Sequence, residues 1–333
     1  AMNIQTPYLL FLGDAADPLA AKVAQGICDW RPESIIGQFR MPACNADLGL
    51  RDMTIAQAVA AGAKTLVVGV ANRGGVISDA WIEILQEALG QGMDIAAGLH
   101  NRLADVAVLR ADADRLGRQL YDVRHPTQKF DVASGIRRSG KRLLPVGTDC
   151  SCGKMYTALA IEKELRSRGI SADFRATGQT GILVTGRGVA IDAVVADFIS
   201  GAVEWLSPDN DDDHWDIVEG QGSLFHVSFA GVTTGLIHGA QPDALVLCHE
   251  PTRTHMRGLP GFPLPGLREC MDATLRVAAL TNPDAKFVGV AVDTSRLSEQ
   301  EAGEYLRRTE QELGLVTVDP VRNGVARIVD QIV

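Results

Sequence analysis

No stretch of this 333-residue chain approaches the run of about 18 apolar residues that marks a membrane-spanning helix. The opening segment AMNIQTPYLLFLGDAADP has no basic region ahead of its short apolar run, so no secretory signal is expected. Ala1 ahead of Met2 reads as a tag remnant. Excess positive charge is also missing. The formal net charge is -9 and the pI about 5.3, which argues against nucleic acid or an anionic membrane as the main partner. The short basic run RRSGKR, Arg137 to Arg142, reads as a solvated linker. Cysteines stand at 28, 44, 150, 152, 248 and 270, in spacings that fit no zinc pattern. A chain of this size has no need of disulfides, so reduced thiols in the cytoplasm are expected. The acidic run SPDNDDDHW, Ser207 to Trp215, lacks spaced ligands and reads as a surface loop. There is no short-period repeat.

What is present is alternation. YLLFLGD, TLVVGV and MDIAAGLH read as buried strands, with helical patterns at PLAAKVAQGICDW and DAWIEILQEAL between them. The charged region from Ala111 to Arg142 reads as a helix and then a connector. A second series starts at RLLPVGTD and continues through SADFRATG, WDIVEGQG, ALVLCHE, KFVGVAVDT and LVTVDP. Helices are predicted at KMYTALAIEKELRSRG, AIDAVVADFISGAVEWL, LRECMDATLRVAALT, EQEAGEYLRRTEQELG and VARIVDQI. Strand–helix alternation of this kind predicts an α/β fold with parallel sheets. Two domains are expected, residues 1–136 and 137–333.

The stretch GTDCSCGKM has the spacing of a phosphate-binding P-loop: Gly147, Thr148, Asp149, Cys150, Ser151, Cys152, Gly153, Lys154 and Met155. Its setting agrees, because the apolar run LLPVG precedes it and a helical pattern follows Lys154. The loop amides and the helix N-terminus favour an anion, and Lys154 supplies a counter-charge. A nucleotide-cleaving P-loop places Ser or Thr after the lysine to ligate Mg²⁺. Here that residue is Met155, a poor ligand for a hard cation. A phosphate that is bound but not cleaved needs no metal, and coenzyme A carries such phosphates. No metal is therefore expected.

Other polar groups follow the predicted strands, at the edge where a doubly wound sheet holds its ligand. Glu219 ends WDIVE and reads as a general base, a metal ligand, or a support for the P-loop lysine or a backbone amide. His226 lies on the same segment, and its imidazole is a second candidate proton acceptor. His249, His255 and Asp14 stand in reserve. RATGQTG, with Gln179, offers neutral hydrogen bonds or is simply a tight turn. In CHEPTRTHMRG, Arg253 and Arg257 are suited to forking onto carboxylates. Arg73 in ANRGG and Arg102 in GLHNR follow strands of the first domain and are further candidates to hold a substrate carboxylate.

VGTDCSCGKM, RATGQTGILVTGRG, VEGQGSLFH and HGAQPDALVLCHEP together resemble a bacterial family of P-loop proteins that carries an unknown-function label. TPYLLFLGDAADPLAAKVAQGI and GVANRGGVIS narrow the resemblance to the D-glutamate N-acetyltransferase branch. The resemblance covers nearly the whole chain. It implies a Rossmann-like N-terminal domain followed by a P-loop NTPase-like doubly wound domain, with acetyl-CoA as donor and D-glutamate as acceptor. It also implies a partner racemase in D-glutamate catabolism. It names no catalytic base; Glu219 and His226 rest on position alone. A homo-oligomer acting on small molecules is expected. Two rivals remain. An ATP- and Mg²⁺-dependent ligase or kinase is similar to dethiobiotin synthetase in its GTD....GK form, and Met155 departs from that pattern. A nucleotide-binding regulatory module would bind but show no turnover.

Overall fold

The computed structural model describes residues 2–70 and 76–333. The chain forms two compact units, one made of the residues up to Gln128 together with Gly178–Ala193, the other of Lys129–Thr177 and Val194–Val333.

The first unit is built on β1 (Tyr8–Gly13), α1 (Lys22–Trp30), β2 (Ile35–Arg40), α2 (Ile55–Ala60) and β3 (Thr65–Val68). It continues through α3 (Asp79–Gly90), β4 (Asp94–Ala97), α4 (Ala107–Leu116) and β5 (Leu120–Asp122). Its strands are parallel, in the order β2-β1-β3-β4-β5. This is the flavodoxin-like order of a doubly wound sheet. Every residue of β1 is buried, which accounts for its unbroken apolar run in place of alternation. Side chains cap two of these helices, α2 and α3. Thr54 and Gln57 form a reciprocal capping box on α2, and Ser78 caps α3 through the Trp81 amide.

The second unit opens with β6 (Lys141–Gly147), α5 (Lys154–Ser167) and β7 (Ala172–Arg175). The chain then returns to the first unit as α6 (Gln179–Thr185). There the Gly186 carbonyl accepts from the Ile4 amide at 2.8 Å. Back in the second unit follow α7 (Ile199–Leu206), β8 (Trp215–Val218), α8 (Ala230–Ala240) and β9 (Ala244–His249). A small antiparallel hairpin, β10 (His255–Met256) and β11 (Leu259–Pro263), comes next. The unit ends with α9 (Leu267–Ala278), β12 (Lys286–Val292), α10 (Glu299–Leu313), β13 (Thr317–Val318) and α11 (Ala326–Val329). The main sheet has the order β13-β12-β9-β6-β8-β7, and its pairs are parallel. β6 therefore lies between β9 and β8, with every C-terminal strand end at one edge.

Two sequence expectations change. AIDAVVADFISGAVEWL is not one helix. It is two short 3-10 turns, Ile191–Ala193 and Ala196–Phe198, followed by α7. The break falls where the chain passes from the first unit to the second. RATGQTG is not merely a tight turn, because Gln179 opens α6.

Candidate active site

The β6–α5 connection has the geometry its spacing predicts. β6 is buried from Arg142 to Gly147, and α5 begins at Lys154 with Gly153 as N-cap at φ 97°. No side chain caps α5, so its first amides are left for a ligand at the strand-end edge. Ser151 also adopts a positive φ, 50°. Lys154 is buried; its Nζ donates to the Asp149 carbonyl at 2.7 Å and to Cys152 Sγ at 3.6 Å. Met155 stands at the second position of α5, so the loop carries no hydroxyl there. Thr157 is buried under the loop, with its Oγ1 accepting from Cys248 Sγ at 3.5 Å.

A second layer holds this loop in place. Asp149 is buried, and both of its oxygens accept hydrogen bonds. Oδ1 accepts from the Cys150 amide at 2.6 Å. Oδ2 accepts from Arg253 Nη1 at 2.8 Å and from the Arg257 amide at 2.9 Å. Arg253 also donates to the carbonyls of Cys150 and Ser151, each at 2.5 Å. Arg257 Nη1 donates to Ser151 Oγ. Arg253, expected to hold a substrate carboxylate, thus grips the P-loop backbone. Thr148 Oγ1 lies 2.9 Å from His249 Nδ1. Burial lowers the His249 pKa to about 4, so this imidazole is neutral at pH 7.

Glu219 follows β8 and is buried. Its Oε2 accepts from the Thr177 amide at 2.8 Å, while Thr177 Oγ1 donates to the Glu219 carbonyl at 2.7 Å. Gln221 Nε2 donates to the same Thr177 oxygen at 3.2 Å. Gly220 lets this segment press against β6, because a Cβ there would lie 1.9 Å from the Pro145 carbonyl oxygen and 3.0 Å from Lys154 Cδ. Glu219 is thereby fixed one strand away from the P-loop.

His226 is buried beside the loop. Its Nε2 donates to the Arg257 carbonyl at 3.0 Å, and its Nδ1 accepts from the Ser228 amide at 3.3 Å. A carboxylate oxygen of Asp149, Cys150 Sγ and a ring nitrogen of His226 lie within 4.8 Å of one another. These groups make a poor cation site, since both Asp149 oxygens and both His226 nitrogens already serve backbone or guanidinium partners. Burial also holds the Cys150 thiol above its usual pKa range. Asp173, His214 and Asp216 form a second such group. There Arg175 lies 2.8 Å from Asp216 and Arg166 lies 2.9 Å from Asp173, so guanidinium groups already neutralise the carboxylates.

In the first unit, Arg102 precedes a 3-10 turn at Leu103–Asp105. Gln179 opens α6 so close to the Gly98 backbone that a Cβ at Gly98 would lie 2.3 Å from Gln179 Oε1. Asp14 Oδ1 accepts from Trp81 Nε1 at 2.8 Å, and His255 lies on the β10–β11 hairpin. Arg73 lies outside the described residues.

Sequence reasoning missed a cleft of about 300 Å³ beside the P-loop, between the start of α5 and the ends of β12 and β13. Asp293 and Asp319, each just past a strand end, were the signals that could have exposed it.

Comparison with known proteins also finds two domains, although the P-loop match runs through Gly178–Ala193, which group with the first unit in the structure. Residues 131–329 match the model described as "Domain of unknown function (DUF1611_C) P-loop domain". Residues 42–126 match "Domain of unknown function (DUF1611_N) Rossmann-like domain". The chain belongs to the DUF1611 family. The Rossmann-like and P-loop fold expectation therefore holds. A crystal structure of a DUF1611 family protein from Anabaena variabilis is 33% identical, with a TM-score of 0.83, over 98% of this chain and 99% of that one. Two relatives carry the name D-glutamate N-acetyltransferase. One, from Tritonibacter scottomollicae, is 60% identical over 98% of both chains. The other, from Pseudoalteromonas sp, is 50% identical over 98% of this chain and 99% of its own. The D-glutamate N-acetyltransferase branch expected from the sequence motifs is thus the one these relatives occupy.

Proposed function

We propose that this chain is an N-acetyltransferase that moves the acetyl group of acetyl-CoA to the amine of D-glutamate, in D-amino acid catabolism. The observation that carries the reading is a buried P-loop lysine at an uncapped helix N-terminus, followed by Met155 where a metal-binding hydroxyl would stand. Such a loop suits a phosphate that is held and left intact. The names of the two relatives supply the acceptor.

Acetyl transfer needs a free amine, a proton acceptor and stabilisation of the oxyanion. With CoA phosphate on the P-loop at β6, the β8 and β7 ends offer a path for the pantetheine arm. Glu219, Thr177 and Gln221 stand along that path. We assign Glu219 the role of proton acceptor and Thr177 and Gln221 that of neutral hydrogen-bond partners. His226, the second candidate acceptor, has both ring nitrogens engaged by backbone groups, which favours Glu219. Arg102 and Arg73 are the proposed partners of substrate carboxylates, with Gln179 as a neutral partner. All six cysteines are free, which supports a reducing, cytoplasmic setting. Among the described residues no helix is long and apolar enough to cross a membrane.

The test is incubation with acetyl-CoA and a panel of D- and L-amino acids, following release of free thiol. Release with D-glutamate is expected. No release with any amine would overturn the reading and return the P-loop to a nucleotide-binding role without transfer.

A further inference from the structure

The cleft beside the P-loop has a definite chemical character. Its inner wall is the P-loop itself, at Cys152 and Gly153, with Tyr156 and Thr157 of the first turns of α5. Its outer wall is the β12 end, at Asp293 and Ser295, and the turn Asp319 to Val321. Among the described residues of the lining, Tyr156 is the one aromatic. Val321 stands at the rim and is 79% exposed.

That exposure is built in. Buried Asp319 fixes the turn: its Oδ1 accepts from the amides of Val321 and Arg322 at 2.8 and 3.1 Å, and its Oδ2 from the Thr294 amide at 3.0 Å. An apolar side chain is thus held in solvent at the mouth of a cleft that opens onto the P-loop. Asp293 gives the cleft a polar preference. Its Oδ1 accepts from the Ser295 amide at 3.0 Å, and among the described residues no donor reaches Oδ2. A flat apolar ligand carrying an amino group meets all three features. A phosphate on the adjoining loop would anchor such a ring from the side.

We propose that this cleft binds the adenine ring of an adenine nucleotide whose phosphates occupy the P-loop. The inference rests on the reading of Gly147 to Met155 as a phosphate site. It assigns Tyr156 as a stacking surface, Val321 as an apolar cover and Asp293 as acceptor for the adenine amino group. It also gives the bound molecule a direction: the ring lies towards β12 and β13, the phosphates at β6, and the remainder leads towards β8 and Glu219. A ring carrying an oxygen in place of the amino group would face the Asp293 carboxylate and be disfavoured.

Titration calorimetry on the full chain tests this with CoA, phosphopantetheine, which has no adenine, and etheno-CoA, whose adenine amino group is tied into a ring. Val321→Asp should bind CoA about tenfold or more weakly, since it sets a carboxylate where the apolar cover lay and an anion against an apolar ring face loses hydration without a partner. Its affinity for phosphopantetheine should stay at the parental value. Etheno-CoA should bind the parent more weakly than CoA does. Asp293→Ala should lower CoA to the etheno-CoA level and leave etheno-CoA unchanged. Parental affinity for CoA and for ATP in both variants, with CoA binding lost in Lys154→Ala, would overturn the adenine assignment and leave the phosphate site standing. Parental CoA affinity in Lys154→Ala would overturn the phosphate reading itself. If Val321→Asp weakens ATP and not CoA, the cleft is an adenine site whose source is ATP.

Discussion

Arg253 and Asp149, 104 residues apart in sequence, meet at 2.8 Å to form the brace under the P-loop. The same guanidinium takes two loop carbonyls, so one side chain fixes three consecutive P-loop residues. Arg253→Ala leaves a buried carboxylate and two carbonyls short of a donor. Of the three acceptors only Asp149 is buried, and a buried carboxylate that loses a charged donor costs about 1–3 kcal/mol. We expect a lower Tm and weaker acetyl-CoA binding, with the KM for D-glutamate nearly unchanged. Arg253→Lys should recover little, because an ammonium cannot fork onto three acceptors. A raised KM for D-glutamate with parental acetyl-CoA affinity would make Arg253 a carboxylate anchor instead.

The P-loop lysine gives the next prediction. Lys154 Nζ rests on the Asp149 carbonyl, and the proposed function has it turn to a CoA phosphate oxygen. Lys154→Ala should weaken acetyl-CoA binding by ~1.5–3 kcal/mol, the value of a hydrogen bond to a charged group. Calorimetry reporting equal affinities would remove CoA phosphate from this loop.

Metal dependence separates transfer from ligation. Because Met155 occupies the ligand position and Thr157 Oγ1 is tied to Cys248, activity should survive EDTA. An enzyme that dies on chelation and revives with Mg²⁺ would support the ligase reading.

The strands that were legible in sequence are those buried on both faces. β1, β6, β9 and β12 show as unbroken apolar runs, and the P-loop between β6 and α5 shows through its spacing. β2 did not, because IIGQFR carries Gln38 and Arg40 on an edge strand only partly buried. α8 did not, because AGVTTGLIHGA is rich in Gly and Thr, which are weak helix formers. The hairpin β10–β11 was hidden by Gly and Pro. The site was legible residue by residue but not as a set. Nothing local to CHEPTRTHMRG says that Arg253 will fold back onto Asp149, and the cleft walls come from segments more than a hundred residues apart.

His249 makes a pH prediction. Burial lowers its pKa to about 4 from the ordinary 6.5. The unfolded chain therefore binds this proton more readily than the folded one. The stability tied to neutral His249 is complete above pH 6.5 and is lost as pH falls from 6.5 towards 4. His249→Gln should flatten the fall of Tm across that window and keep a hydrogen-bond partner for Thr148. An unchanged slope would show that other groups set the acid sensitivity.

The proton acceptor closes the argument. An amine attacks a thioester only as the free base, and amino-acid ammonium groups are mostly protonated near neutral pH. A positioned base contributes typically ~10²–10⁴-fold. Glu219 is buried, held by Thr177, and one strand from the P-loop. Glu219→Gln keeps the shape and the Thr177 contact but removes the basicity, so kcat should fall at least about 10²-fold with acetyl-CoA affinity nearly unchanged. His226 is braced between Arg257 and Ser228, so His226→Ala acts through the hairpin rather than through the proton. It should weaken acetyl-CoA binding and leave the pH dependence of kcat/KM at its parental shape. Loss of CoA affinity in Glu219→Gln would recast Glu219 as a P-loop support. A pH profile that flattens in His226→Ala would return the base role to His226. Near-parental kcat in both variants would sink the assignment of either residue and move the search to His249, His255 and Asp14.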